Sequence, residues 1–344
     1  MREEIKLIGS DLLDRIGLVS LLRRVTASRG GLVLALHRVL PIEERSTCYD
    51  PHLVLSEPAF VSLLHLLQRD YSVVPLEHLL ADPRGSGGRP KVAITFDDGW
   101  EDNYRVAFPH LIANQLPATI FACTDLVGSC GVLPEERFAR LWEECALRSR
   151  LKELLADLDH WGMGRRANHL QASRRHWSQA LKRMPLTARL LLLDHFEQRY
   201  EVPPIATPRF MSWGEVRIMM NTGLIEFGSH TSRHATLTSE TDRDVRLELE
   251  NSQTTLLEQT GQVVKMFAYP NGMYSPRVVE IVRSTGYETA VSTNFAATTR
   301  RSNPLAIPRI AVDDTTVADA GAQLSTSRTS VYLVRPGLRP AFSF

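Results

Sequence analysis

Two adjacent carboxylates end the apolar run Val92-Ala93-Ile94-Thr95-Phe96-Asp97-Asp98-Gly99-Trp100. Val92 to Phe96 reads as a short buried strand, bounded by Arg89-Pro90 before and Gly99 after. Successive strand side chains point to opposite faces, so Asp97 and Asp98 share a direction only where the backbone turns, and Gly99 permits that turn. Two carboxylates at a strand mouth repel, and burying either one unpaired is costly. A cation resolves the conflict: one Asp holds a metal while the other stays free as a base. A solvated Asp-Asp-Gly turn is the competing reading.

A second polar cluster lies far downstream. Ile225-Glu226-Phe227-Gly228-Ser229-His230-Thr231-Ser232-Arg233-His234 is another apolar strand running into a turn. Two histidines four apart fall on one side of a helical turn. With one carboxylate they make a facial donor set with open positions, suited to catalytic zinc or non-haem iron. Taken alone, such a pair also fits surface histidines of a helix. Both clusters sit at the C-terminal ends of predicted strands, where α/β enzymes place their active sites.

Thr95-Phe96-Asp97-Asp98-Gly99 and His230-Thr231-Ser232-Arg233-His234 resemble the first two motifs of the NodB-type polysaccharide deacetylases, carbohydrate esterase family 4. Pro117-Ala118-Thr119-Ile120-Phe121 is similar to the strand that follows the first motif, and Phe267-Ala268-Tyr269-Pro270-Asn271-Gly272 to the third motif. The resemblance runs from Leu32 to Val312, broken by an insertion. It implies a deformed, incomplete (β/α) barrel that removes acetyl groups from a sugar polymer. It implies Asp97 as base, Asp98, His230 and His234 as ligands of one divalent ion, most simply Zn2+, and the turn at Tyr269-Pro270-Asn271 as substrate and oxyanion contact, with the Asn271 amide as donor. These roles suit the chemistry. Amide hydrolysis needs an activated water, a proton acceptor, oxyanion stabilisation and a proton for the departing amine.

The sequence departs from the family pattern at two places. Aligning Pro270 puts Ala268 where the family usually has an arginine that orients the base; Arg309, in Ile307-Pro308-Arg309-Ile310, is the candidate replacement. No histidine follows His234, so the C-terminal motif that usually supplies the acid histidine is missing. The branch acting on poly-N-acetylglucosamine places its acid histidine after an N-terminal strand, and Leu34-Ala35-Leu36-His37-Arg38-Val39 is similar to that element. His37 is therefore the expected general acid, against a structural histidine bonded to a backbone carbonyl.

The elements that must position these residues alternate. Leu32 to Leu36 reads as a strand, Glu57 to Arg69 as an amphipathic helix, Tyr71 to Pro75 as a strand and Leu76 to Leu80 as a helix. Asn103 to Asn114 reads as a helix kinked at Pro109, and Ala118 to Thr124 as a strand. From Pro134 to Tyr200 strand signal disappears and helical runs replace it, as in an insertion or lid beside the site. Its basic residues read as a solvated face, with contact to an anionic glycan as the alternative. Ser212 reads as an N-cap, Glu240 to Thr260 as a long helix stopped by Gly261, and Val264 to Ala268 as a strand. Ser275 to Ser284 follows as a helix, with strands at Thr289 to Thr293 and within Leu305 to Val312. The pattern is α/β with parallel strands. It divides into an N-terminal amphipathic helix over 1–30, the barrel over 31–325 with its insertion at about 134–200, and a weakly patterned tail over 326–344.

Composition sets broader limits. The 344 residues are 43% hydrophobic and 23% charged, enough for a sizeable core, and a net charge of +1 gives no argument for a nucleic-acid partner. Cys48, Cys123, Cys130 and Cys145 form no Cys-x-x-Cys pair, so a disulfide framework is not expected. The first 25 residues contain Glu3, Glu4, Asp11 and Asp14 and lack an apolar core like that of a signal peptide. A cytoplasmic location is the expectation. Ile5, Ile8, Leu12, Ile16 and Val19 follow helical spacing, as in a helix packed on the domain or, alternatively, resting on a membrane surface. The expected substrate is an N-acetylated glycan. The rivals are an amidase of the same fold acting on a small non-sugar molecule, and a catalytically inactive glycan-binding or scaffold protein.

Overall fold

A computed structural model describes residues 18–48, 50–129, 131–161, 173–203, 209–319 and 321–338. Most of the expected N-terminal helix, including Ile5 to Ile16, lies outside the described residues; the described part, Leu18–Arg29, is helical.

The strands in chain order are β1 (Leu32–Leu36), β2 (Arg38–Leu40), β3 (Val54–Ser56), β4 (Ser72–Val73) and β5 (Lys91–Asp98). They continue with β6 (Ala118–Ala122), β7 (Ile225–Ser229), β8 (Met266–Ala268), β9 (Thr289–Val291) and β10 (Ile310–Ala311). The main sheet runs β10-β1-β5-β6-β7-β8-β9, with β4 also on β5, and every pairing in it is parallel. A single bridge from Val291 to Ile307 spans the gap between β9 and the segment entering β10. The sheet is thus a curled, incompletely closed barrel with helices around it.

Strand alternation sorts the core into two layers. Leu32, Leu34 and Leu36, with Val92, Ile94, Phe96, Ile120 and Phe227, face outward under the helices. Val33, Ala93, Phe121, Ala268 and Val291 face inward, joined by Leu76 and Leu79 of the helix Leu76–Ala81. Both faces are covered, which is why these strands read as nearly continuous apolar runs.

Local signals explain the element ends. Ser212 and Glu215 form a reciprocal capping box before the helix Trp213–Met220. The helix Asp242–Thr260 ends at Gly261, whose left-handed backbone (φ 74°) favours glycine. Ahead of Pro109 the expected helix opens into a π-helical turn over Asn103–Ala107 before continuing as Phe108–Ala113. Such a turn accommodates the missing proline N–H.

The described residues of the stretch from Pro134 fold as the helices Pro134–Leu147, Leu151–His160, Arg174–Lys182 and Leu186–Arg199. Phe138, Leu141, Leu154, Trp177, Leu193 and Phe196 give it a core of its own. The tail departs from the irregular segment expected. Thr326–Val334 is a helix that buries Leu333 and Val334 and packs on the N-terminal helix. Tyr332 also donates its hydroxyl to Ala311 O at 2.9 Å. Its sequence is polar at most positions, and tertiary packing overrides the weak local signal.

Candidate active site

Because the strands are parallel, their C-terminal ends gather at one rim. The last two residues of β5, Asp97 and Asp98, lie at that rim, and the segments after β1, β7 and β8 carry His37, His230 to His234 and Tyr269 to Gly272 to it.

Asp97 keeps the inward register of Ala93 and Thr95. Arg309 reaches it from beside β10: Nη1 donates to Asp97 Oδ1 at 2.8 Å and Nη2 to Oδ2 at 2.7 Å. The guanidinium also donates to Thr95 Oγ1 at 3.1 Å and Ser292 O at 3.0 Å. Both partners are buried, and such bidentate pairing fixes the plane of the carboxylate. Burial pushes the Asp97 carboxyl up, but the charges of Arg309, His230 and His37 prevail and hold it below its ordinary value.

His37 Nε2 lies 3.9 Å from Asp97 Oδ2, and its imidazole is a quarter exposed, open to an incoming molecule. The polar groups just past the Asp-Asp-Gly turn hold its segment. Asn103 donates to His37 O at 2.7 Å, and Asp102 accepts from Val39 N and Arg38 Nε, both at 2.8 Å.

Asp98 turns away from its neighbour because its own backbone is left-handed (φ 72°), as is that of Gly99 (φ 85°). Its Oδ2 accepts from the Trp100 indole at 2.8 Å. Its Oδ1 is buried without a hydrogen-bond partner among the described residues and faces His230 Nε2 at 3.5 Å and His234 Nε2 at 3.6 Å. His230 Nδ1 donates to Ala268 O at 2.8 Å, which leaves the Nε2 lone pair toward Asp98. Burial opposes ionisation of Asp98, yet the three neighbouring histidines hold it well below the usual carboxylate range. An orphaned buried oxygen facing two imidazole nitrogens is a donor set that fits a divalent cation. Cys123 also lies near Asp98 and His230. Its sulfur instead donates to His230 O at 3.3 Å, and burial pushes its thiol well above its ordinary value, so His234 is the better third donor.

The histidine spacing does not act through a helix, as the i, i+4 pattern suggests. His230 to His234 form a turn in which Thr231 (φ 66°) and His234 (φ 60°) are left-handed, with the imidazole centres 5.0 Å apart. Buried Glu248 holds this turn, accepting from Arg233 N at 3.0 Å and Arg233 Nε at 2.8 Å. Asn271 is left-handed too (φ 59°). Left-handed non-glycine residues cost of order 1–3 kcal/mol each and persist where the surroundings enforce them. Here Asp98, Thr231, His234 and Asn271 all line one site.

The turn after β8 divides the roles of its residues. Tyr269 was expected to face substrate; its side chain is instead buried, stacked on Tyr274 and donating its hydroxyl to Leu305 O at 2.9 Å. A phenol in an apolar wall needs such an acceptor, which draws it into the core. Pro270 and Asn271 remain at the rim. Gly272 is required on two counts: its φ is +66°, and a Cβ there would run into the Thr293 side chain.

Sequence reasoning missed Glu135. From the first turn of the insertion it accepts from Asn271 Nδ2 and Arg189 Nη1, each at 3.1 Å, and its Oε2 lies 3.4 Å from His234 Nδ1. Burial opposes its ionisation, but His234, Lys182 and Arg189 hold it well below its ordinary value, while Glu135 and Asp98 raise the buried His234 above its own. No periodicity marks such a residue; only the long-range packing of the insertion brings it to the site. Beside it, a cavity of about 350 Å³ opens between His52 and Trp100 on the barrel and Glu135, Arg174, Gln179 and Lys182 on the insertion.

The chain belongs to the polysaccharide deacetylase family, whose model matches residues 84–290. It is accordingly an enzyme of that kind, a hydrolase that deacetylates polysaccharide. No curated protein matches it in sequence. Among solved structures it is similar to the deacetylase PplD of Streptococcus pyogenes, determined in complex with acetate. The two are 17% identical, with 84% of this chain and 95% of that one covered and a TM-score of 0.55. It is also similar to IcaB from Ammonifex degensii, at 19% identity over 89% of this chain and 97% of that one, with a TM-score of 0.54. The polysaccharide deacetylase BC0361 from Bacillus cereus is 18% identical over 89% of this chain and 69% of that one, with a TM-score of 0.56. At such identities these likenesses concern the fold. No helix among the described residues is long and apolar enough to cross a membrane.

Proposed function

We propose that this enzyme removes N-acetyl groups from N-acetylhexosamine residues of a polysaccharide or its precursor, in a metal-dependent reaction that releases acetate. The observation that carries the reading is the pairing of two differently held carboxylates. Asp97 is clamped by Arg309, while Asp98 presents a bare oxygen to two imidazoles. Asp98, His230 and His234 would hold the divalent ion, most simply zinc, which when bound supplies Lewis acidity and lowers the pKa of water.

The residues of the chain account for the remaining requirements. Asp97, kept ionised by Arg309, takes the proton of the water that adds to the acetyl carbonyl carbon. Backbone N–H groups of the turn at Asn271 donate to the oxygen as it gains charge. When the carbon–nitrogen bond breaks, His37 gives a proton to the nitrogen, so that a neutral amine stays on the sugar and acetate departs. The insertion forms one wall of the approach to the site, and the adjoining cavity takes a neighbouring sugar. An arginine supplied from beside β10 and an acid histidine after β1 support the branch acting on poly-N-acetylglucosamine. An exopolysaccharide or capsule role and a cytoplasmic site of action on a precursor are the accompanying proposals.

The test is acetate release from N-acetylglucosamine oligomers by protein loaded with zinc and by the same protein after chelation. Release that depends on the metal and rises with oligomer length supports the reading. Hydrolysis confined to small non-sugar amides would replace it with an amidase, and binding of oligomers without release would replace it with a glycan-binding role.

A further inference from the structure

His234 stands between two carboxylates. Its Nε2 faces Asp98 Oδ1 at 3.6 Å, and its Nδ1 faces Glu135 Oε2 at 3.4 Å. His234 Nδ1 and Glu135 Oε2 are both buried, neither has a hydrogen-bond partner among the described residues, and the two face each other at 3.4 Å. The other oxygen, Oε1, is fixed by Asn271 Nδ2 and Arg189 Nη1. Arg189 and Asn271 further converge on Thr236 Oγ1, at 3.0 and 3.1 Å. Arg189 is itself fully buried and donates to the carbonyls of Lys182 and Met184, which locks two insertion helices around the same carboxylate.

We propose that Glu135 is a positioning residue through which the helical insertion sets the tautomer of His234 and holds the Asn271 turn. Closing the 3.4 Å gap so that Oε2 accepts from Nδ1–H would leave Nε2 unprotonated toward Asp98, and by accepting from Asn271 Nδ2 Glu135 steadies a backbone that is left-handed at a non-glycine residue. The insertion is then a structural part of the catalytic centre as well as a wall beside it. The inference rests on the reading of Asp98, His230 and His234 as metal ligands.

The test is the zinc affinity of the full chain, measured by competition with a chromogenic chelator. Outer carboxylate partners of ligating histidines are typically worth 10–100-fold in affinity, so Glu135→Gln and Glu135→Ala should weaken zinc by about that factor. Glu143→Gln, on the same helix but paired outward with Arg174, should not. The wild-type zinc-loaded protein provides a readout that needs no variant. Two slowly exchanging downfield imidazole N–H resonances are expected, from His230 and His234, and the Glu135 variants should lose one. Wild-type protein that does not bind zinc would defeat the metal reading itself. Wild-type binding with unchanged affinity in both Glu135 variants, an equal loss in Glu143→Gln, or a single protected imidazole resonance would overturn this inference alone.

Discussion

Arg309 holds both oxygens of Asp97, at 2.8 and 2.7 Å, from a position 212 residues further along the chain. The pair is buried, so removing the cation leaves an uncompensated charge, and breaking such a pair costs about 3–5 kcal/mol. Arg309→Met should therefore destabilise the protein by about that amount in denaturant unfolding. The sign of the pH effect follows from the same contact. Arg309 favours the ionised carboxylate against the penalty of burial, so removing it raises the Asp97 pKa. The acid limb of the kcat/KM profile should then move to higher pH. An acid limb that stays in place would show that Asp97 is not the base whose ionisation the reaction needs.

His37 sits 3.9 Å from Asp97 with its ring open to solvent. As general acid it contributes typically ~10²–10⁴-fold, so His37→Ala should lower turnover by about that factor while zinc content and thermal stability stay close to wild type. A better leaving group needs less protonation, so an N-acetyl substrate with an activated amine should recover much of the loss. Near-normal turnover of the sugar substrate in His37→Ala would assign the histidine a structural role.

Gly272 tests the oxyanion turn independently of the metal. An alanine there must adopt φ near +66° and push into Thr293. Overpacking of this kind costs about 1–3 kcal/mol, released by shifting the Asn271 backbone. Gly272→Ala should lower kcat more than it raises KM, with zinc affinity unchanged. A change in KM alone would place the turn in ground-state binding.

Much of this architecture was legible in the sequence for a physical reason. Parallel strands buried on both faces read as apolar runs, and polar residues directly after such runs must emerge at one rim. That logic gathers Asp97, Asp98, His230, His234 and His37 before any coordinates are known. Arg309 was legible only through what was missing, since Ala268 cannot supply the cation that a buried Asp97 needs. Glu135 was not legible, because one acid in the first turn of a helix looks the same whether it faces water or a histidine. The inward turn of the Tyr269 side chain was not legible for a related reason: a motif fixes where the backbone runs, while the acceptor that draws the phenol inward, Leu305 O, lies 36 residues away. The turn joining His230 and His234 was read as helical because spacing alone does not distinguish a helical turn from one built on left-handed residues.

Asp97 as base and Asp98 as ligand give two carboxylates adjacent in sequence opposite roles. Asp97→Asn preserves the shape of the site and removes the proton acceptor. Acetate release and bound zinc, measured on one preparation of this variant, separate the two roles. Zinc near one equivalent per chain is expected together with loss of nearly all acetate release, a drop on the order of 10²–10⁴-fold. Loss of the zinc itself, or acetate release close to wild type with zinc in place, would contradict it.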